Sequence, residues 1–179
     1  MSVPQSALST ANDDLANGPL SNSSVRRVID ALAAGGSNTR VVALTDTARS
    51  AQDAAQALGT ELGAIVKSLV FVIGDQPVMA LVAGDRQADT AALPGCLGLE
   101  GRCKRADAEV VRAATGFAIG GVAPLGHPAA LPIALDASLG RFPTVFAAAG
   151  HPHCVFPTTL DELARLTGGV VDARIAKNP

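Results

Sequence analysis

A lysine stands inside the most apolar run of the chain, Ala64-Ile-Val-Lys67-Ser-Leu-Val-Phe-Val72. Burying an ammonium without a partner is costly. Two readings stand: Lys67 lies near a strand end and snorkels to water, or it is a lone cation at the mouth of an apolar pocket, placed to meet a phosphate or carbonyl oxygen. A second candidate is Thr115-Gly-Phe-Ala-Ile-Gly120-Gly121-Val122-Ala123-Pro124-Leu-Gly-His127, which contains Gly-x-x-x-Pro from Gly120 to Pro124. Adjacent glycines tolerate positive φ and let backbone N–H groups approach a ligand with no Cβ in the way. Such groups form either an anion or oxyanion site or simply a tight turn. No Gly-Lys-Ser/Thr follows, so it is not a P-loop, and the G-x-G-x-x-G fingerprint after a strand is missing. The third candidate is Ala149-Gly150-His151-Pro-His153-Cys154. A zinc site there lacks a second ligand pair at the usual spacing. His151 and His127 read either as loop residues beside a pocket or as solvated side chains. Asp136 ends an apolar strand and either caps the turn after it or holds a polar group of the pocket. There is no G-x-S-x-G elbow, and neither Ser68 nor Ser138 has a nearby His–Asp pattern.

The elements that must position these residues follow from periodicity. Residues 1–22 are rich in Ser, Asn, Asp and Pro, without a period, and read as a mobile tail ahead of one domain over residues 23–175. Val25, Val28, Ile29 and Leu32 share one helix face, capped by Ser23 or Ser24 and closed by Gly35-Gly36. Arg40–Leu44 reads as a short strand, and Ala51, Ala54, Ala55 and Leu58 as a helix stopped by Gly59. Two strands, Ile65–Ile73 and Val78–Val82, flank a four-residue turn and make a hairpin. The first is apolar on both faces and belongs in the middle of a sheet. Gln87–Leu93 is expected to be a short helix and Pro94–Arg105 a loop. A helix follows over Asp107–Thr115, then strands at Ile133–Asp136, Thr144–Ala148 and Cys154–Phe156. Thr159-Leu-Asp-Glu162 reads as a capping box opening a last helix that stops at Gly168, before a short strand at Val170–Val171. Helices and strands are interspersed without a βαβ series, which gives an α+β single domain with a curved, mixed, mostly antiparallel sheet flanked by helices.

Composition narrows the partners. The 179 residues are 48% hydrophobic and 17% charged, enough for a sizeable core. Lys plus Arg is 14 and Asp plus Glu is 16, a net charge of −2, which argues against DNA or an anionic membrane held by bulk charge. With no Trp, no Tyr and five Phe, a stacked-aromatic surface for single strands is not expected. Neither a secretory nor a transit signal is expected at the N-terminus, and the longest uncharged stretch is broken by Gly and Pro. Three scattered cysteines, Cys96, Cys103 and Cys154, read as reduced thiols, so a cytoplasmic location is expected.

Lys67 within Ile-Val-Lys-Ser-Leu-Val, the Thr115–His127 stretch, Asp136 and Ala-Gly-His-Pro, in that order from about Ser24 to Asp172, resemble the YbaK/prolyl-tRNA-synthetase-associated editing domain family. The resemblance implies a free-standing deacylase that removes a wrong amino acid from tRNA, often tRNA(Pro). It implies that Lys67 and the loop from Gly120 to Pro124 frame the site. Catalytic roles then fall to Lys67, Gly120 and Gly121, and substrate binding to Val122, Ala123, Pro124, His127, Asp136, Gly150 and His151. Arg102, Lys104 and Arg105 either touch the acceptor stem or form a solvated loop. Some relatives carry Ser before the loop proline where this chain has Ala123, so serine is expected to be a slightly poorer substrate than alanine or cysteine. An aminoacyl ester is already activated, so positioning, an oxyanion site and a water suffice, and no metal or other cofactor is expected. The partner is the 3′ end of aminoacyl-tRNA, with prolyl-tRNA synthetase a second candidate. Other readings are a module that binds aminoacyl-tRNA or a synthetase without hydrolysis, and a Schiff-base lyase using Lys67.

Overall fold

The computed structural model describes residues 18–46 and 48–179. In chain order the elements are α1 (Ser23–Ala34), β1 (Val42–Ala43), α2 (Ala51–Leu58), β2 (Ile65–Ile73), β3 (Gln76–Ala83), β4 (Gln87–Ala88), α3 (Leu93–Leu97), β5 (Cys103–Arg105), α4 (Ala108–Thr115), β6 (Ile133–Asp136), β7 (Val145–Ala148), β8 (Cys154–Thr158), α5 (Leu160–Thr167), β9 (Val170–Asp172) and β10 (Ala176–Lys177). The expected tail falls largely on residues 1–17, outside the described residues. Its last part is ordered: Pro19–Ser21 is a 3-10 turn and Leu20 packs on the core.

The main sheet runs β1-β8-β7-β2-β3-β6-β9, with β5 also pairing β2, while β10 and β4 form a separate ribbon. Antiparallel pairs are β1/β8, β8/β7, β2/β3 and β2/β5, and parallel pairs are β2/β7, β3/β6 and β6/β9. The expected α+β class with a mixed sheet is the one observed. β2 is central because both its faces are apolar. Val66 and Val70 enter the core under α1, α4 and α5, and Phe71 and Ile73 enter a second core with Leu93 and Ile175. Ile65 joins a third cluster with Ala54, Ala55 and Leu58 of α2.

Local chemistry differs from expectation in five places. The β2–β3 turn has two residues, with Ile73 opposite Gln76 and Gly74 at φ +61° in the first turn position. A glycine there supplies the positive φ that a tight hairpin needs. In place of the helix expected over Gln87–Leu93 there is a two-residue strand, Gln87–Ala88, followed by a turn, and helix α3 begins only at Leu93, because Pro94 suits a first helical turn. The expected loop also contains β5, recruited by pairing with β2. Asn22, not Ser23 or Ser24, caps α1 through Ser24 N–H. At α5, Thr159 accepts from Glu162 N–H, but the Glu162 carboxylate turns to the hydroxyls of Thr158 and Ser37 instead of closing a capping box.

Candidate active site

β2 is flanked on one side by two different strands. The ladder to β7 ends at Val66 opposite Ala147, and the ladder to β5 begins at Phe71 opposite Arg105 and extends to Val70, whose carbonyl accepts from Ala106 N–H at 3.1 Å. Between them the edge of β2 is uncovered. A cavity of about 200 Å³ occupies this split. Its wall is built from β2 residues 65–70, Val111 of α4, Gly120 and Val122 of the glycine loop, His151 and Pro152 of the β7–β8 turn, and Arg49, Ala51 and Arg105 near the rim. Pockets that enclose drug-sized ligands run to roughly 300–1,000 Å³, so this one suits a small group with the rest of its carrier outside.

The glycine loop is fixed from both ends. Arg27 donates to the Gly116 carbonyl at 2.7 Å and lies over the Phe117 ring at 4.7 Å, which holds the end of α4. Gly120 has φ +100° and lines the cavity. Gly121 serves differently. Its φ is ordinary, but a Cβ there would lie 2.9 Å from the His151 nitrogen, so its smallness lets the two loops touch. Its N–H is already bonded to the Ala118 carbonyl at 3.1 Å. Among the described residues, the N–H groups of Gly120 and Val122 make no hydrogen bond. Of the two N–H groups expected to be available, that of Gly120 is unbonded and that of Gly121 is taken, and the neighbouring Val122 N–H is unbonded as well.

Among the described residues, three cations line the cavity and no carboxylate does. Burial holds the Lys67 ammonium below its ordinary pKa; Asp85 opposes this, Arg105 adds to it, and Asp136 opposes it. Its Nζ donates to the Arg86 carbonyl, on a turn braced by the Asp85–Arg141 ion pair at 2.7 Å. Arg49 and Arg105 are exposed and have no ion-pair partner among the described residues. His151 Nδ1 accepts from His153 N–H at 3.2 Å, which leaves the neutral ring's proton on Nε2. Burial, then the neighbouring His153, lowers the His151 pKa and favours that neutral form. The cysteine of the wall is silent as a nucleophile: burial pushes the Cys154 thiol up to about 11, so it stays protonated.

Not every expected residue reaches the cavity. Lys67, Gly120, Val122, His151 and Arg105 line it, and Gly121 and Gly150 shape the backbone behind it. A Cβ on Gly150, at φ +89°, would meet the Ser24 carbonyl at 2.8 Å. Ala123 is fully buried core, and Pro124 and His127 border a different groove with Leu166. His127 Nε2 bonds the Ala123 carbonyl at 2.8 Å and its ring meets Phe117 edge-on. Asp136, 1% exposed, accepts from Ala83 N–H, Ser138 N–H and the Ser138 hydroxyl, and so takes the capping alternative. Arg102 and Lys104 are exposed and lie off the wall. Sequence reasoning missed Arg49, Ser68 and Ile119. Ile119 is 64% exposed at the rim, and its position in a glycine-rich loop was the only available signal.

Comparison with known proteins shows the family of the chain. Residues 45–166 match the family model described as the aminoacyl-tRNA editing domain. A solved structure described provisionally as a trans-editing enzyme for prolyl tRNA synthetase superposes with a TM-score of 0.80 at 43% identity, covering 88% of this chain and 99% of that one. YwhH of Bacillus subtilis, itself uncharacterised, is 34% identical over 71% of this chain and 80% of its own. An Enterococcus faecalis protein described provisionally as a Cys-tRNA(Pro)/Cys-tRNA(Cys) deacylase is 28% identical over 67% of this chain and 73% of its own. The proline–tRNA ligase of Nitratidesulfovibrio vulgaris (strain DP4) is 35% identical over 46% of this chain, which spans only 14% of that ligase. No described helix is long and apolar enough to cross a membrane.

Proposed function

The chain belongs to the aminoacyl-tRNA editing domain family, and from that premise we propose that it hydrolyses the ester joining a small mischarged amino acid to tRNA. Alanine, cysteine and serine are the proposed substrates and tRNA(Pro) the proposed carrier, in line with the proline-centred relatives. The observation that carries the reading is the split in the sheet: two unpartnered N–H groups, Gly120 and Val122, share one small cavity with Lys67, Arg49 and Arg105.

The chemistry needs little more. A water attacks the ester carbonyl, and negative charge develops on its oxygen. Fixed N–H donors and a nearby ammonium stabilise that charge without reorganising, a contribution of about 3–4 kcal/mol per well-placed donor in comparable sites. His151 Nε2–H is a further donor. The leaving ribose hydroxyl stays at the mouth, where Arg49 and Arg105 meet the terminal phosphate. The apolar wall of Val70, Val111 and Val122 takes a small side chain. A methylene in such a wall discriminates by about 1–3 kcal/mol, so the sieve acts as a second selection after synthetase error.

The test is a time course on tRNA(Pro) charged with alanine, serine, cysteine or proline, and on tRNA(Phe) charged with phenylalanine. Rapid loss of the small esters and slow loss of the prolyl and phenylalanyl esters is expected, with no change on exhaustive chelation. Equal rates for all would remove the sieve. One observation favours the rival reading of a binding module: the Lys67 ammonium is already engaged by the Arg86 carbonyl. Tight binding of misacylated tRNA with no hydrolysis of any ester would decide for it.

A further inference from the structure

Ser68 carries the one buried side-chain oxygen or nitrogen, among the described residues, with no protein hydrogen-bond partner. It lines the cavity, between Lys67 and Leu69. Its peptide group is in a special position too. Val70 C=O and Gly74 N–H both bond toward β5, so the even-numbered peptide groups of β2 point to that side. Val66 is paired with β7 and Val70 bonds to Ala106, which leaves the Ser68 peptide facing the split between the two ladders. One hydroxyl and one strand-edge carbonyl thus sit together on the inner wall, among Val66, Val70 and Val122.

Buried polar groups without partners are rare and need a reason. The rim already supplies donors for the ester and phosphate oxygens, through the loop N–H groups and the arginines. The Ser68 edge differs because, beside its N–H and hydroxyl, it offers a strand carbonyl, an acceptor that calls for a donor on the ligand. The group common to the alanyl, cysteinyl and seryl moieties that can both donate and accept beside the acyl carbon is the α-amine. Among the described residues, the ionisable groups lining the cavity are Arg49, Lys67, Arg105, His151 and Cys154, with no carboxylate. That field disfavours an ammonium and favours the neutral amine, which donates N–H to the Ser68 carbonyl and accepts the Ser68 hydroxyl proton.

We infer that Ser68 is a substrate-binding residue that recognises the free α-amino group of the aminoacyl ester, and that the protein therefore rejects N-acylated esters such as those of peptidyl-tRNA. This deepens the deacylase reading and rests on it for the identity of the ligand.

The experiment uses alanyl-tRNA(Pro) and N-acetylalanyl-tRNA(Pro), both as hydrolysable esters and as analogues with an amide in place of the ester. Wild type should bind and cleave the free-amine form about 10- to 100-fold better than the acetylated form. Ser68→Ala should lose most of that preference while folding normally, since removing an unpaired buried hydroxyl costs little. Ser68→Thr, which keeps a hydroxyl, should retain it. A wild type that treats the two forms alike overturns the inference, as does Ser68→Ala weakening both equally. If the ester is cleaved but the preference ignores Ser68, the inference fails and the deacylase reading stands. If the free-amine amide binds selectively through Ser68 but no ester is cleaved, the deacylase reading fails instead. If nothing is bound or cleaved, both fail.

Discussion

The stretch from Gly116 to Asp136 divides into two parts with opposite characters. In the first, Gly120 and Val122 keep their N–H groups unbonded against a cavity. In the second, each polar side chain is satisfied: His127 by the Ala123 carbonyl, and Asp136 by two N–H groups and a hydroxyl. The first part is glycine-rich and has no proline or polar side chain, whereas the second carries Pro124, Pro128 and Pro132 with His127 and Asp136, and the sequence alone does not tell which polar groups find partners. The difference is one of hydrogen-bond accounting. A group that has its partners inside the fold stabilises the fold, whereas a group left without them at a cavity wall is available to a ligand.

The contrast can be broken most severely at Asp136. Asp136→Ala leaves Ala83 N–H and Ser138 N–H without their acceptor. A loss of about 2–4 kcal/mol is expected in urea unfolding, with near-normal deacylation per folded molecule. A stable but inactive Asp136→Ala would move this residue into the site and erase the division. On the other side, Gly121→Val drives a side chain into the backbone at His151, where even a Cβ has 2.9 Å. Displacing two loops by about 1 Å is expected to cost about 10²-fold in rate, with a smaller loss of stability of about 1–3 kcal/mol. Single-turnover rates and melting curves on one preparation separate the two, and an unaltered rate in a folded variant would detach the loop from catalysis.

Lys67 straddles the boundary, since its stem lines the cavity while its ammonium holds the Arg86 carbonyl. Lys67→Met keeps the stem and removes the charge. Deacylation should fall by about 10- to 100-fold, with stability within about 1 kcal/mol of wild type. A large loss of stability at full activity would make it purely structural. The smallest effect concerns pH. Burial lowers the pKa of His127 and of His151 below their ordinary value of 6.5. The unfolded chain then binds more protons just below that value, so stability is complete above about pH 6.5 and declines as pH falls through it. Thermal melts from about pH 8 to about pH 5 should show this slope, reduced in His127→Gln. A melting temperature that rises on acidification would contradict it.

Sequence alone determined the elements whose signal is local. Both faces of Ile65–Ile73 are apolar, so a central strand was legible, and the periodic faces of α1 and α2 with their glycine stops were legible too. The glycine pair and Lys67 were legible as exceptions to their surroundings. What only the tertiary structure decided depends on pairing between distant segments. β5 exists because Phe71–Ile73 offered it an edge, and the split at Ser68 exists because β7 and β5 stop short of one another along β2. Ser68 in the sequence is an ordinary strand serine, and Gly121 beside Gly120 is one of two equivalent glycines. The fold makes the first an unpartnered hydroxyl and the second the contact point of two loops, because hydrogen-bond partners and close approaches are fixed by neighbours in space, which residue type and spacing do not specify.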